Sequence, residues 1–252
     1  MYKIPANTLF IGKSLIYVPE CHSTNSLALE MSQQRSVLDG TVVITDNQTA
    51  GRGQRGNTWE AAQGKNLTFS IVLQPLFLAV KDQFFLNIFT SLAIQDFLSD
   101  KTSATVKIKW PNDILVNGKK ICGILIENQI RGLQVSNTIA GIGLNINQSE
   151  FNIATATSLC VVLNKQFDLQ LVFDELIGCI EARYMQLRKG SMATLKEEYL
   201  QQLYWQGEDH VFTSNGISFT GKINGIDEVG KLSIDTREGE RYFDIKEISY
   251  VQ

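Results

Sequence analysis

Long apolar runs are missing from this chain. The longest, such as 121–126, fall far short of the ~20 residues that a membrane-crossing helix needs. Residues 1–14 also lack the continuous apolar core of a secretory signal. Paired cysteines are missing too. Cys21, Cys122, Cys160 and Cys179 are scattered, with no C-x-x-C spacing, so neither a zinc site nor a redox motif is suggested. With no export signal they read as reduced thiols, and a cytoplasmic location is expected. There is no excess of positive charge: 23 Lys+Arg stand against 26 Asp+Glu, a net −3. That argues against a chain that lives on nucleic acid, though it leaves room for a local basic patch. Internal repeats and low-complexity tracts are absent.

What is there suits an ordinary globular protein. The 252 residues are 44% hydrophobic and 19% charged, which excludes a disordered or fibrous chain. This length can bury a core without a metal or disulfide staple, and it suits one large domain or a large one with a small companion. A short strand is expected at 14–19. Ser23, Thr24 and Asn25 then cap a helix running to about Gln34, with Leu27, Ala28 and Met31 on its apolar side. The β-branched run 41–45 reads as a buried strand. Residues 48–66 are polar and glycine-rich with no helical period, a long loop of the kind that is often functional. Strand signal returns at 67–74, and 81–98 has the spacing of an amphipathic helix with Phe84, Phe85, Ile88, Leu92 and Ile94 among its core candidates.

The middle of the chain is strand-rich: 106–110, 114–116, 120–127 and 139–146. Asn117-Gly118 between apolar runs is the strongest short-range hairpin signal. Two helices follow, at 168–188 and 191–204, joined near Gly190. After Trp205 come short strands at 211–213, 217–224, 231–235 and 241–250, a small β-barrel of about fifty residues by its turn spacing. The expected fold is therefore α+β: a mixed sheet packed with helices over 1–204, and a barrel over 205–252.

Three constellations carry chemistry. Gly51-Arg52-Gly53-Gln54-Arg55-Gly56 spells G-x-G-x-x-G after a strand, but a dinucleotide fingerprint must open a helix, and here loop and then strand follow. What remains is three glycines that let backbone N–H groups approach an anion, with Arg52 and Arg55 as forked donors and Trp59 able to stack on a planar base. A flexible surface loop with two solvated arginines is an equal alternative on these residues alone. The second constellation is Lys109-Trp110-Pro111-Asn112-Asp113 with the following hairpin. A two-residue turn at 117–118 sets Val116 against Lys119, Leu115 against Lys120 and Asp113 against Cys122, so Asp113, Leu115, Lys120 and Cys122 share one face that continues to Ile124. Lys120 on that face needs an anionic partner, Asp113 or a substrate group. An ordinary hairpin with both lysines exposed is the plainer reading. The third is Gly141-Ile142-Gly143-Leu144-Asn145, in which two glycines weaken a strand unless something needs close backbone approach, and Asn145 can turn an amide into the same cavity. A bulge in a buried strand is again the plainer reading.

Taken in order, these segments resemble the biotin–protein ligases, over most of the chain. Ser23-Thr24-Asn25 is similar to their biotin-ring motif. Gln48 to Gly53 continues as their adenylate loop with Trp59 at the aromatic position. Lys109 to Asp113 matches their signature, Lys120 follows seven residues after Asp113, and Gly141 to Asn147 resembles their glycine strand. The C-terminal barrel fits as the family's SH3-like domain. The resemblance implies biotin contacts at Ser23, Thr24, Asn25, Gln48, Gly51, Arg52, Lys120 and Gly123. It implies ATP or adenylate contacts at Arg52, Gly53, Gln54, Arg55, Trp59, Asn112, Lys120 and Asn145, and catalytic parts for Lys120, Asp113 and Arg52. It further implies biotin and Mg²⁺·ATP as substrates, a biotin carboxyl carrier protein of a carboxylase as acceptor, and no membrane partner. Some members dimerise through edge strands, so a homodimer is among its implications.

Two departures stand out. Gln54 replaces the family's usual arginine, which bears on how the adenylate is retained. There is no room before Ser14 for a helix-turn-helix, so the resemblance is to members without a DNA-binding domain, and DNA is not an expected partner. The rival readings are a lipoate- or octanoate-attaching enzyme of the same architecture, and a non-enzymatic ligand-binding regulator. The region after 205 contains none of the three constellations and is expected not to form the biotin pocket.

Overall fold

The computed structural model describes residues 2–34 and 37–251; the side chain of Arg55 lies outside the described residues. β1 (Leu15–Cys21) leads through α1 (Thr24–Gln33) to β2 (Val42–Gln48), and β3 (Leu67–Leu73) follows the long loop. α2 (Phe85–Lys101) precedes β4 (Val106–Lys109), β5 (Asp113–Val116), β6 (Lys119–Arg131) and β7 (Gln134–Leu144). Next come α3 (Leu159–Leu163), α4 (Leu169–Arg188) and α5 (Met192–Gln201). The chain ends in β8 (Asp209–Ser214), β9 (Ile217–Ile226), β10 (Leu232–Thr236), β11 (Gly239–Phe243) and β12 (Ser249–Tyr250).

The first seven strands form one mixed sheet in the order β1-β2-β3-β7-β6-β5-β4, parallel only between β1 and β2. Period-two alternation sorts its side chains onto two faces. Phe69 and Ile71 of β3, with Ala140, Ile142 and Leu144 of β7, pack with Phe89 and Leu92 of α2 and Phe173 and Ile177 of α4. Full burial of a side chain such as Phe69 contributes roughly 1.5–3 kcal/mol. On the other face Val43, Val72 and Ile139 pack under Ala28 of α1. Helices on both sides explain why every residue of β3 is buried. Beyond the end of α1 this second face is open, and there the strands carry Thr68, Ser70, Gly141 and Gly143 in place of large apolar residues.

The last five strands form an antiparallel sheet in the order β11-β10-β9-β8-β12. Phe212, Ile223, Leu232 and Phe243 from this sheet belong to the same continuous apolar cluster as the main core. Two close contacts fix this sheet against the elements that precede it. The Trp110 indole donates to Gly230 O at 2.9 Å, and a Cβ on Gly230 would lie 2.1 Å from the Phe84 ring.

Several elements differ from the sequence expectation. α2 starts at Phe85 because Val80–Asp82 form a 3-10 turn, pulled out of the helix by pairing with the β6–β7 turn through Val80 N to Leu133 O. β6 and β7 run on as a hairpin beyond residue 127; their polar outer residues hide the alternation. α3 was not expected; Ser158 caps it by accepting from Val161 N. The single run 241–250 is two strands, split where Lys246 takes φ 70. Ser23 stands at the N-cap of α1 without a side-chain cap bond.

Candidate active site

A row of residues crosses five strands at the open face. Thr68 pairs with Gly143, Gly143 with Gly123, Gly123 with Asp113, and Asp113 with Lys109. A second row, two residues along, is Ser70, Gly141 and Leu125. Paired residues point to the same side, so the rows make the floor of a cavity of about 540 Å³. The glycines are there for space. A Cβ on Gly141 would lie 2.1 Å from Asn25 Oδ1, and one on Gly143 2.3 Å from the Trp59 ring.

Ser23, Thr24 and Asn25 form one wall, each 3–4% exposed. The Ser70 hydroxyl lies 2.7 Å from Thr24 Oγ1 and 2.6 Å from Asn25 Oδ1. Thr24 N donates to Gln48 Oε1 at 2.8 Å. Buried polar groups here are almost all paired, so the wall is rigid before any ligand arrives.

The β5–β6 hairpin turns at Asn117-Gly118 with φ 50 and 76, as the mirror-image turn requires. Val116 faces Lys119 and Leu115 faces Lys120, as expected from the turn. A β-bulge then shifts the register, so Ile114 faces Cys122 and Asp113 faces Gly123. The expectation that Cys122 shares the face of Asp113 is therefore corrected. Cys122 turns into the core, where burial pushes its thiol up. An unforeseen extra residue produces the offset. Lys120 stays with Asp113, Nζ to Oδ1 at 2.6 Å, while Lys119 is exposed. The 155–157 segment holds Lys120 by the backbone, through Lys120 N to Thr155 O and Thr157 N to Lys120 O.

The glycine loop folds back on itself. Trp59 N donates to Gly51 O and Gly53 N to Asn57 O, with Gln54–Gly56 as a 3-10 tip and no α-helix following. Gly51 has no room for a Cβ, which would lie 2.2 Å from Trp59 O. The loop lays the Trp59 ring over Gly123 and Gly143, with its Nε1 buried and unpartnered and Lys120 Nζ 5.7 Å from the ring centre. Arg52 reaches Glu127, 2.6 Å away.

The opposite wall comes from the second sheet. Lys246, Ser249 and Tyr250 line the cavity, and Lys109 Nζ sits 4.7 Å above the Tyr250 ring. Burial lowers the Lys109 pKa, partly countered by Asp113. Burial raises that of Tyr250, with Asp113 adding to it; its hydroxyl is buried without a partner. No sequence signal marked 245–250, because the residues reach the cavity only through the packing of one sheet on the other. Glu127 and Ser70, on β6 and β3 of the first sheet, were missed because their partners Arg52, Asn25 and Thr24 lie far along the chain.

Ser23, Thr24, Asn25, Gln48, Arg52, Gly53, Gln54, Trp59, Asn112, Asp113, Lys120 and Gly123 all line this cavity. Gly51 lies behind the loop, in a smaller hollow. Asn112 is bonded to β6, Nδ2 to Ile124 O at 2.6 Å. Asn145 is not in the cavity wall: it is buried beyond the end of β7 and donates to Thr157 O at 3.0 Å. The Arg55 side chain lies outside the described residues.

The Biotin/lipoate A/B protein ligase family matches residues 17–147, more than half of the chain. The chain belongs to this family. It is 33% identical to the bifunctional ligase/repressor BirA of Bacillus subtilis over 92% of this chain and 72% of that protein. It is 28% identical to the biotin–acetyl-CoA-carboxylase ligase of Mycobacterium tuberculosis over 88% of this chain and 84% of that one. Among solved structures, the biotin protein ligase from Aquifex aeolicus in complex with biotin and ATP superposes with TM-score 0.77 at 29% identity, over 95% of this chain and 99% of that one.

Proposed function

We propose that this member of the family is a biotin–protein ligase, which activates biotin with ATP and passes it to a lysine of a biotin carboxyl carrier protein. The observation that carries the reading is the charge of the cavity. Arg52, Lys109, Lys120 and Lys246 line it, with Asp113 as the one carboxylate of the lining and Glu127 behind Arg52, over a floor stripped to glycine. Such a site suits a flat, polyanionic ligand set: a carboxylate and a nucleoside triphosphate.

In the first step a biotin carboxylate oxygen attacks the α-phosphorus of ATP, and the bond to pyrophosphate breaks. Lys120 turns from Asp113 to the gathering negative charge. In the second step a neutral lysine amine attacks the acyl carbon of biotinyl-5′-AMP, AMP leaves, and the freed Asp113 takes the proton. The paired Thr24–Gln48 wall offers the ureido ring of biotin donors and acceptors, and the Trp59 loop excludes water from the anhydride. Magnesium carried by the triphosphate needs few protein ligands. Asp113 is the one carboxylate of the wall, and among the described residues no three metal-ligating side chains converge.

The remaining parts of the reading come from the family resemblance. The division falls near residue 205, the second sheet is an SH3-like module, and the protein works in the cytoplasm, with a homodimer through a sheet edge as an arrangement to measure by light scattering. No helix among the described residues is long and apolar enough to cross a membrane. The test is isotope exchange between pyrophosphate and ATP without carrier protein. Exchange should require biotin, and exchange that runs equally well on lipoate alone would move the protein to the lipoate branch of the family.

A further inference from the structure

A single carboxylate oxygen joins two ends of the cavity. Glu127 lies on β6, two residues beyond Leu125 of the floor. Its Oε2 accepts from Asn25 Nδ2 at 2.8 Å and from Arg52 Nη2 at 2.6 Å. Asn25 has little freedom to turn: Nδ2 also donates to Leu125 O at 3.1 Å, and Oδ1 meets the Ser70 hydroxyl while pressing on Gly141. Ser70 continues to Thr24, and Thr24 to Gln48. The result is an unbroken polar chain, Gln48–Thr24–Ser70–Asn25–Glu127–Arg52, from the wall proposed for the biotin ring to the loop proposed for the nucleotide. Its inner members are buried. Its last link is open to solvent, with the side chains of Arg52 and Glu127 43% and 29% exposed.

We propose that Glu127 is a positioning residue that couples biotin binding to nucleotide binding, by holding Asn25 and Arg52 on one oxygen. The inference rests on the biotin and ATP reading of the two ends. A ligand that bonds Thr24 and Gln48 stiffens the chain through Asn25 to Glu127. The loop, tied by Arg52, then has less freedom left to lose when the nucleotide arrives. Coupling of this kind is reciprocal, so nucleotide tightens biotin by the same factor. Glutamine at 127 keeps an acceptor for Asn25 and removes the charge that holds Arg52, so it cuts the chain at one link.

The experiment is calorimetric titration of the full chain with biotin, with and without Mg²⁺ and α,β-methylene-ATP, which cannot release pyrophosphate. In the wild type the analogue should tighten biotin by about fivefold or more. In Glu127→Gln, biotin alone should bind within about threefold of wild type while the enhancement falls below about twofold. A role confined to stability would lower the melting temperature and leave that ratio unchanged. An unchanged ratio, or a wild type with no enhancement, overturns the proposal. Wild-type protein that binds no biotin overturns the ligase reading instead. The tie itself is then read without ligand, by trypsin cleavage after Arg52: faster cutting in Glu127→Gln supports it, and equal rates overturn it.

Discussion

The glycines of the cavity floor and Gly56 at the tip of the loop above it look alike in the sequence and answer different needs. Gly141 and Gly143 sit in a regular strand with ordinary backbone angles, and what they lack is room for a methyl group. Gly56, at the loop tip, has nothing within 4 Å of a Cβ but takes φ 84, a conformation other residues avoid. The floor is held by strand pairing and by a web of buried hydrogen bonds. Among the described residues, segment 51–59 of the loop is held by three backbone bonds within itself, the Trp59 ring and the Arg52–Glu127 pair. The site therefore joins a rigid platform to a cover with few anchors, a division of labour suited to closing over a ligand.

Five substitutions test that contrast; apart from the control Lys119→Ala they run in falling order of effect. Lys120→Ala removes the charge beside the floor; with a charge-assisted contact worth roughly 1.5–3 kcal/mol, biotin-dependent pyrophosphate exchange should fall by about one to two decades. Lys119→Ala, on the exposed side of the same hairpin, should change it by less than about threefold. Equal losses from the two lysines would mean that the bulged register is wrong. Gly141→Ala forces a methyl against the pinned Asn25 amide, and overpacking of about 1–3 kcal/mol should appear as a lower unfolding midpoint and weaker biotin binding. Unchanged biotin binding would remove the floor from the ring site.

Gly56→Ala meets no atom, so only its backbone conformation suffers, at about 1–2 kcal/mol, and most of that should fall on loop closure. Its biotin affinity without nucleotide should match wild type, while adenylate release quickens; a loss of ligand-free biotin binding would erase the distinction between floor and loop. Gln54→Arg is the mildest. Gln54 lines the cavity from the loop tip, and cationic side chains already face it from three other elements, so release of preformed biotinyl-AMP should change by less than tenfold, under about 1.4 kcal/mol. Wild-type enzyme that labels bystander proteins, and stops when arginine is restored, would make Gln54 the cause of a leak.

Legibility followed the range of the interactions. The strand pairs around Asn117-Gly118, the loop between β2 and β3 and the placement of Lys120 beside Asp113 follow from turn chemistry and alternation over a few residues. The same rules failed where one extra residue intervened. The bulge before Cys122 reversed that side chain, and no local pattern announces it. Asn145 was read by its glycine neighbours as a cavity residue, yet the strand ends at Leu144 and the amide follows the 155–158 segment instead.

The sequence by itself determined the elements, the glycine positions and the charged groups from which a site could be built, because helix, strand and turn preferences act over neighbours. Only the tertiary structure decided that Lys109 meets Tyr250 across the sheets, and that Glu127 receives both Asn25 and Arg52, partners 102 and 75 residues away in the chain. Those pairings depend on how whole faces dock. Docking is driven by the burial of apolar surface, which has no direction of its own, so the polar partners are settled by the geometry of the packed core.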